Sequence, residues 1–233
     1  MTAKTGGRLG QIRSHFEKEA EAFDRVFFKI MPSYRRMIEA AVEAVPFQKG
    51  KALRALDLGC GTGNLAEALI KAYPGSSVTC LDMAENMIRM ARAKLGKKRG
   101  VSFWQGDIRK FDYSGRYDAI LASMVLHHIE KKEKTAFYRR LRNTLSRNGV
   151  FNVIDIFVSP DRLIQEFYVR EWKSFMLNNG IKRAQVENML CRHRREDRPV
   201  SLSEELAMLR RAGFARAEVI IKEYNFAAIS ARR

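Results

Sequence analysis

The chain has 233 residues, enough for one α/β domain with a full core and too few for two large ones. Its apolar fraction of 46% is ordinary for a globular protein, no apolar run reaches the roughly 18 residues that span a bilayer, and the polar, basic Met1–Gly10 has no apolar stretch behind it, so no membrane helix and no signal peptide are expected. A net charge of +17 permits an RNA, an anionic surface or an acidic substrate as partner, and equally a set of solvated helix faces, because the charges are scattered. Cys60, Cys80 and Cys191 are odd in number and lack metal spacing, which suits reduced thiols in a cytoplasmic protein.

Residues 1–10 read as loose. From Gln11 to Val45 the pattern is helical, with Phe16, Ala20, Phe23, Val26 and Phe27 at spacings of three and four. Pro32 interrupts it, and Ser33 can cap a second helix carrying Met37, Ile38 and Val42. After Lys49-Gly50-Lys51, short apolar runs alternate with amphipathic helices. The runs are Ala52–Leu58, Ser77–Leu81, Val101–Gln105, Tyr117–Ala122 and Val150–Ile156, with helices near Asn64–Tyr73, Ala84–Leu95 and Lys132–Leu145. Repeating β–α units imply a parallel sheet covered on both faces, and right-handed crossovers restrict it to a doubly wound α/β fold. Residues 160–197 break the rhythm with helical segments Leu163–Met176 and Ala184–Leu190, and read as an inserted lid. A capped helix follows from Ser201 to Ala212, ended by Gly213. Phe214–Ile221 and Tyr224–Ile229 are then strands joined by the short Lys222-Glu223 link, which requires an antiparallel hairpin.

The chemistry concentrates in Leu56-Asp57-Leu58-Gly59-Cys60-Gly61-Thr62-Gly63-Asn64, at the end of the first strand. Glycines at alternate positions make a tight strand-to-helix turn that lets backbone approach a ligand, and the helix start offers free N–H groups to a carboxylate or phosphate. The dinucleotide fingerprint G-x-G-x-x-G fails, because its third glycine falls on Asn64. Asp57 instead suits a ligand carrying an ammonium group, so a zwitterionic amino acid moiety fits better than a pyrophosphate. Asp82 closes the second strand, where a carboxylate can accept both hydroxyls of a ribose, and Gly106-Asp107-Ile108 follows the third.

Asp-x-Gly-Cys-Gly-Thr-Gly resembles motif I of class I S-adenosylmethionine (SAM)-dependent methyltransferases. The resemblance implies a seven-stranded Rossmann-like sheet of order 3-2-1-4-5-7-6, SAM as cofactor and S-adenosylhomocysteine as product. It places Gly59, Cys60 and Gly61 with Asp57 at the amino acid end of the cofactor, Asp82 on the ribose, Met83 on the adenine face, and Asp107 with Ile108 at the adenine amino group. Ala122–Ile129 is similar to the segment after motif IV, which lines the methyl group. A histidine there can serve as general base, His128 being the candidate before His127, or can simply pack and orient the cofactor. Transfer from a sulfonium has an excellent leaving group, so positioning alone can suffice.

The whole chain is similar to carboxy-SAM synthases of a tRNA uridine-modification pathway and to related methyltransferases, through Phe23-Asp24, Pro32-Ser33-Tyr34, Asn179-Gly180, Leu209–Phe214 and Tyr224–Ala227. This similarity adds Tyr34 and Ser123 to the cofactor contacts and implies a homodimer. The synthases carry a lid arginine for the extra carboxylate. Read without gaps from Gly180, that position falls on Leu190, which cannot pair with a carboxylate, although Arg192, Arg194 or Arg198 lies near. Ordinary methyl transfer to a small-molecule acceptor is therefore expected, with a carboxy-SAM synthase, a tRNA-modifying enzyme and a non-catalytic SAM-binding protein as alternatives. The basic runs Lys97–Arg99, Arg139–Arg142 and Arg192–Arg195 lack the interleaved aromatics of a base-stacking surface. The aromatic segments Phe23–Tyr34 and Phe167–Phe175 suit a cover over the cofactor as well as plain packing. The chain reads as one methyltransferase domain over 1–233, with 11–45 as a helical cap and 160–197 as the lid.

Overall fold

The computed structural model describes residues 7–19 and 23–233. Seven strands run β1 (Arg54–Leu58), β2 (Ser77–Asp82), β3 (Val101–Gln105), β4 (Tyr117–Ser123), β5 (Leu145–Ile156), β6 (Arg216–Glu223) and β7 (Phe226–Arg232). They form one sheet of order β3-β2-β1-β4-β5-β7-β6, parallel except for β7, which runs antiparallel to both neighbours. This is the doubly wound α/β sheet and strand order that the resemblance implied. The helices are α1 (Arg8–Glu19), α2 (Phe23–Ile30), α3 (Tyr34–Glu43), α4 (Asn64–Ala72), α5 (Glu85–Leu95), α6 (Lys131–Thr144), α7 (Arg162–Asn178), α8 (Arg183–Glu196) and α9 (Leu202–Arg211).

Strand parity sorts the core into two layers. Ala55, Ala119, Leu121, Val150 and Ile154 face α3, α4 and α5, whereas Leu56, Leu58, Ile120, Phe151 and Val153 face α6 and α9. Asn152 shares parity with Val150 and Ile154, and its Nδ2 donates to Ala41 O of α3 at 2.6 Å. The N-terminal helices are tied to the sheet's carboxyl edge by polar contacts. The Arg8 guanidinium donates to His128 O (2.9 Å) and Glu196 O (2.8 Å). Trp172 Nε1 of α7 donates to Ile30 O at 2.8 Å.

Several boundaries differ from the sequence reading. Helix begins at Arg8 rather than Gln11, because Arg8 has tertiary partners that a local pattern does not reveal. Ala20 and the side chain of Phe23 lie outside the described residues. Ser33 does not cap α3 with its side chain: its φ is 52°, and its Oγ donates to Glu223 Oε2 instead. The first strand starts at Arg54, and the fifth reaches back to Leu145 through an irregular register against β4. The hairpin turn is Tyr224-Asn225 rather than Lys222-Glu223. Glu223 pairs with Phe226, and the positive φ of the turn (50°) falls on Tyr224. Ser201 does cap α9, accepting from Glu204 N while the Glu204 side chain returns to Ser201 N.

Candidate active site

A cavity of about 380 Å³ opens above the carboxyl ends of the strands, roofed by α1, α2, α7 and α8. Gly59, Cys60 and Gly61 form its floor after β1, with φ of 62° and 53° at the two glycines. A β-carbon on Gly59 would lie 2.4 Å from Val125 Cγ2, so the loop passes the segment after β4 at a distance only glycine allows. β4 ends at Ser123, and Met124 turns left-handed with φ 53°, which brings Val125 onto Gly59 and carries His127 and His128 to the cavity wall. A left-handed methionine is strained backbone of the kind that collects at functional sites.

Asp82 sits at the end of β2 with Oδ2 accepting from Gly61 N (2.9 Å) and Oδ1 from Ala84 N (2.9 Å). Burial raises its pKa against those bonds. Met83 follows it on the cavity surface. Asp107 caps the short 3-10 turn Ile108–Lys110 by accepting from Arg109 N, and pairs with the Arg109 guanidinium at 2.6 Å. Burial pushes the Asp107 carboxyl up, but the Arg109 bonds outweigh it and hold it below its usual range. Tyr34 Oη and Ser123 Oγ are 3.0 Å apart, and burial pushes the Tyr34 phenol up.

Of the residues expected at the site, Tyr34, Gly59, Cys60, Gly61, Asp82, Met83, Asp107, Ile108, Ser123 and His128 all line this one cavity. Asp57 does not. Its parity in β1 turns it toward α4, where Oδ2 accepts from Ala66 N at 3.1 Å and Oδ1 has no hydrogen-bond partner. Burial, with the Asp82 charge adding to it, pushes the Asp57 carboxyl up to about 7. Leu190 is also off the cavity, buried in the core on the inner face of α8. Of the three neighbouring arginines, Arg192 lines the cavity with Nη1 2.9 Å from His15 Nδ1, while Arg194 and Arg198 are exposed.

The cavity also gathers around His127 and His128 groups that the sequence reading did not name. All four histidines of the chain, His15, His127, His128 and His193, lie on its wall. His127 Nδ1 is 2.5 Å from Asp155 Oδ1, and His193 Nδ1 is 2.7 Å from Asp197 Oδ2. Burial opposes charge on His127, but Asp155 and Asp197 outweigh it and raise its pKa. Asp155 and Asp197 are each pushed up by burial and pulled down further by the histidines, so both are held low. Burial and the charge of His127 lower His128 to about 4. Asp155 is the penultimate residue of β5, close to the strand-end position that had singled out Asp82, so position offered a signal. Asp197 and His193 sit near the end of α8 and offered none.

A clamp from α2 was missed as well. Asp24 Oδ1 accepts from Thr62 Oγ1 (2.5 Å) and Asn64 Nδ2 (2.9 Å), and Oδ2 pairs with Lys94 Nζ (2.8 Å). These bonds outweigh burial and lower the Asp24 pKa. Glu17 of α1 accepts from Glu85 N (2.6 Å) and Asn86 N (2.8 Å), capping α5 from outside. The helical roof is thus bonded to the same loop and helix start that form the floor.

A backbone cradle that excludes a β-carbon, carboxylates at two successive strand ends and an enclosing roof fit a nucleoside bearing an amino acid tail. Residues 55–149 match the family model of the methyltransferase domain. Over residues 55–149, which hold the glycine loop and the first four strands, the chain thus carries a methyltransferase domain. Over almost its whole length it is similar to carboxy-S-adenosyl-L-methionine synthases. It is 25% identical to that of Campylobacter hominis, covering 96% of this chain and 97% of the relative. It is 28% identical to that of Wolinella succinogenes, covering 93% and 92%. Among solved structures, magnesium protoporphyrin IX methyltransferase of Synechocystis with bound SAM superposes with a TM-score of 0.65 at 18% identity, covering 100% of both chains.

Proposed function

We propose that the protein transfers the methyl group of SAM to a small-molecule acceptor held in the cavity. The observation that carries this reading is the cradle at Gly59, sealed against Val125 and flanked by Asp82 and Asp107 within one cavity. In it the backbone of Gly59, Cys60 and Gly61 receives the amino acid end of SAM. Asp82 accepts the ribose hydroxyls, Met83 packs on the adenine, and Asp107 with Ile108 meets its amino group. Tyr34 and Ser123 line the sulfonium side. Asp57 contributes from below the loop, by holding the start of α4 through Ala66 N, rather than by contact. His128, neutral near pH 7, takes the acceptor proton where one must leave. A roof bonded at Asp24, Glu17 and Arg8 shields the reacting centre from water and favours a small acceptor over a folded RNA. The three free cysteines suit a cytoplasmic setting, and the resemblance favours a homodimer. No helix among the described residues is long and apolar enough to cross a membrane.

The test is calorimetric titration with SAM and S-adenosylhomocysteine, then acceptor screening by mass spectrometry. Saturable binding of both and a methylated product are expected, and absence of any binding would sink the reading. A second reading, a carboxy-SAM synthase-like activity, is favoured by Arg192 on the cavity wall, where it can replace the arginine lost at Leu190. Mass identification of the nucleoside that co-purifies with the protein separates the two.

A further inference from the structure

Where β4 turns over and α8 ends, His127, His128 and Asp197 bring three ligand atoms within 4.8 Å of one another. His128 Nδ1 lies 3.2 Å and His127 Nε2 3.7 Å from Asp197 Oδ1. Donors about 2.1 Å from a shared divalent ion stand roughly 3.0–3.4 Å apart in octahedral or tetrahedral geometry, so small shifts close these three on an ion.

Spacing alone does not single out a cation, but two independent features do. Both ring nitrogens of His128 are buried; Nδ1 faces only the Asp197 carboxylate, and Nε2 has no hydrogen-bond partner. An imidazole left so is costly unless something takes its lone pair. The other two ligands are held from behind. The Asp155 carboxylate fixes the Nδ1 side of His127 and leaves Nε2 turned toward Asp197. His193 holds Asp197 Oδ2 and leaves Oδ1 between the two imidazoles. Carboxylate-backed histidines and hydrogen-bonded carboxylates are the supporting shell of metal ligands. Two imidazoles and one carboxylate, without thiolate, suit Zn²⁺, Fe²⁺ or Mn²⁺ rather than Ca²⁺ or Cu⁺.

We propose that His127, His128 and Asp197 bind a divalent first-row transition-metal ion, with Asp155 and His193 as positioning residues. All three ligands line the cavity, so the open side of the triad faces the space for the acceptor. Holding an acceptor oxygen there rests on the methyl-transfer reading; ion binding does not. With the ion present, His128 is a ligand rather than the base.

Untagged protein purified without chelator is analysed for metal content, then stripped and titrated with Zn²⁺ by calorimetry and with Co²⁺ by visible absorption. One saturable equivalent is expected, with Co²⁺ bands displaced by Zn²⁺. His128→Gln and Asp197→Asn should abolish the bands, and Asp155→Asn should weaken binding roughly tenfold or more. Circular dichroism checks that the variants fold. If they do not, proton NMR of the Co²⁺-loaded wild type decides, through two exchangeable, paramagnetically shifted imidazole N–H resonances. The proposal is overturned by no saturable uptake, by uptake unchanged in folded His128→Gln and Asp197→Asn, or by the absence of shifted imidazole signals. SAM titration of the stripped protein reports separately on the methyl-transfer reading.

Discussion

At the residue scale, the placement of Asp57 and Tyr34 has measurable consequences. A carboxyl held near 7 takes up a proton in the folded chain that the unfolded chain, with a pKa near 3.9, releases. Its stabilising contribution is therefore complete below about pH 4 and is lost as pH rises toward 7. Asp57→Asn keeps an oxygen for Ala66 N and removes the titration. Its stability relative to wild type should rise between about pH 4 and 7 in urea unfolding and level off above, and a constant difference would show that Asp57 does not titrate in this window. Tyr34→Phe deletes the bond to Ser123 and leaves the ring contact with Phe27 (centroids 4.8 Å apart) in place. One neutral hydrogen bond is worth ~1 kcal/mol of folding stability, so the variant should lose about that much in urea unfolding. Unchanged stability would mean that the hydroxyl adds nothing to the packing of the ring.

At the scale of elements, two polar clusters join helices that share no local pattern. Asp24 of α2 gathers Thr62, Asn64 and Lys94 around one carboxylate whose side chain is 37% exposed. Solvent screening limits the pair with Lys94, so Asp24→Ala should cost only about 1 kcal/mol of stability. Its larger effect should be on the glycine loop, with SAM dissociating faster in stopped-flow, and an unchanged off-rate would argue against a clamp. The second cluster lies between α6 and α9. Lys134 Nζ is 2.9 Å from Glu205 Oε2 with both side chains almost fully buried, and Tyr138 Oη donates to the other carboxylate oxygen. Removing one partner strands a buried charge, so Lys134→Met should cost about 3–5 kcal/mol. The double variant Lys134→Met/Glu205→Gln should recover more than half of that in thermal unfolding. No recovery would mean that the loss comes from packing rather than from charge.

For the molecule as a whole, floor and roof are one bonded unit around an internal site. SAM should therefore slow amide exchange in α1, α2 and α8, which line the cavity, and leave the β6–β7 hairpin unchanged. Uniform protection, or none in α1, would count against closure over the cofactor. The charge of +17 is partly spent on architecture. Arg140 covers the Tyr113 ring at 4.6 Å and donates to Arg109 O and Phe111 O, and Arg142 donates to Gly213 O. The Arg139–Arg142 run thus helps to hold loops in place.

The β–α alternation, the C-terminal hairpin and the glycine loop were legible in the sequence, because periods of 2 and 3.6 and positive-φ turns are set by neighbours a few residues apart. Asp82 and Asp107 could be named for the same reason, each standing at a strand end. Strand parity also held the clue that Asp57 turns away, since it shares a face with Ala55. The cluster of Asp155, His127, His128, His193 and Asp197 was not legible. Its members come from β5, from the turn after β4 and from the end of α8, and only the sheet order and the inserted helices bring them together. The same holds for Asp24 on the loop and for Lys134 with Glu205. The sequence by itself determined which segments become strands and helices and where the glycine loop lies. The tertiary structure alone decided which charges meet, because burial and pairing depend on neighbours distant along the chain.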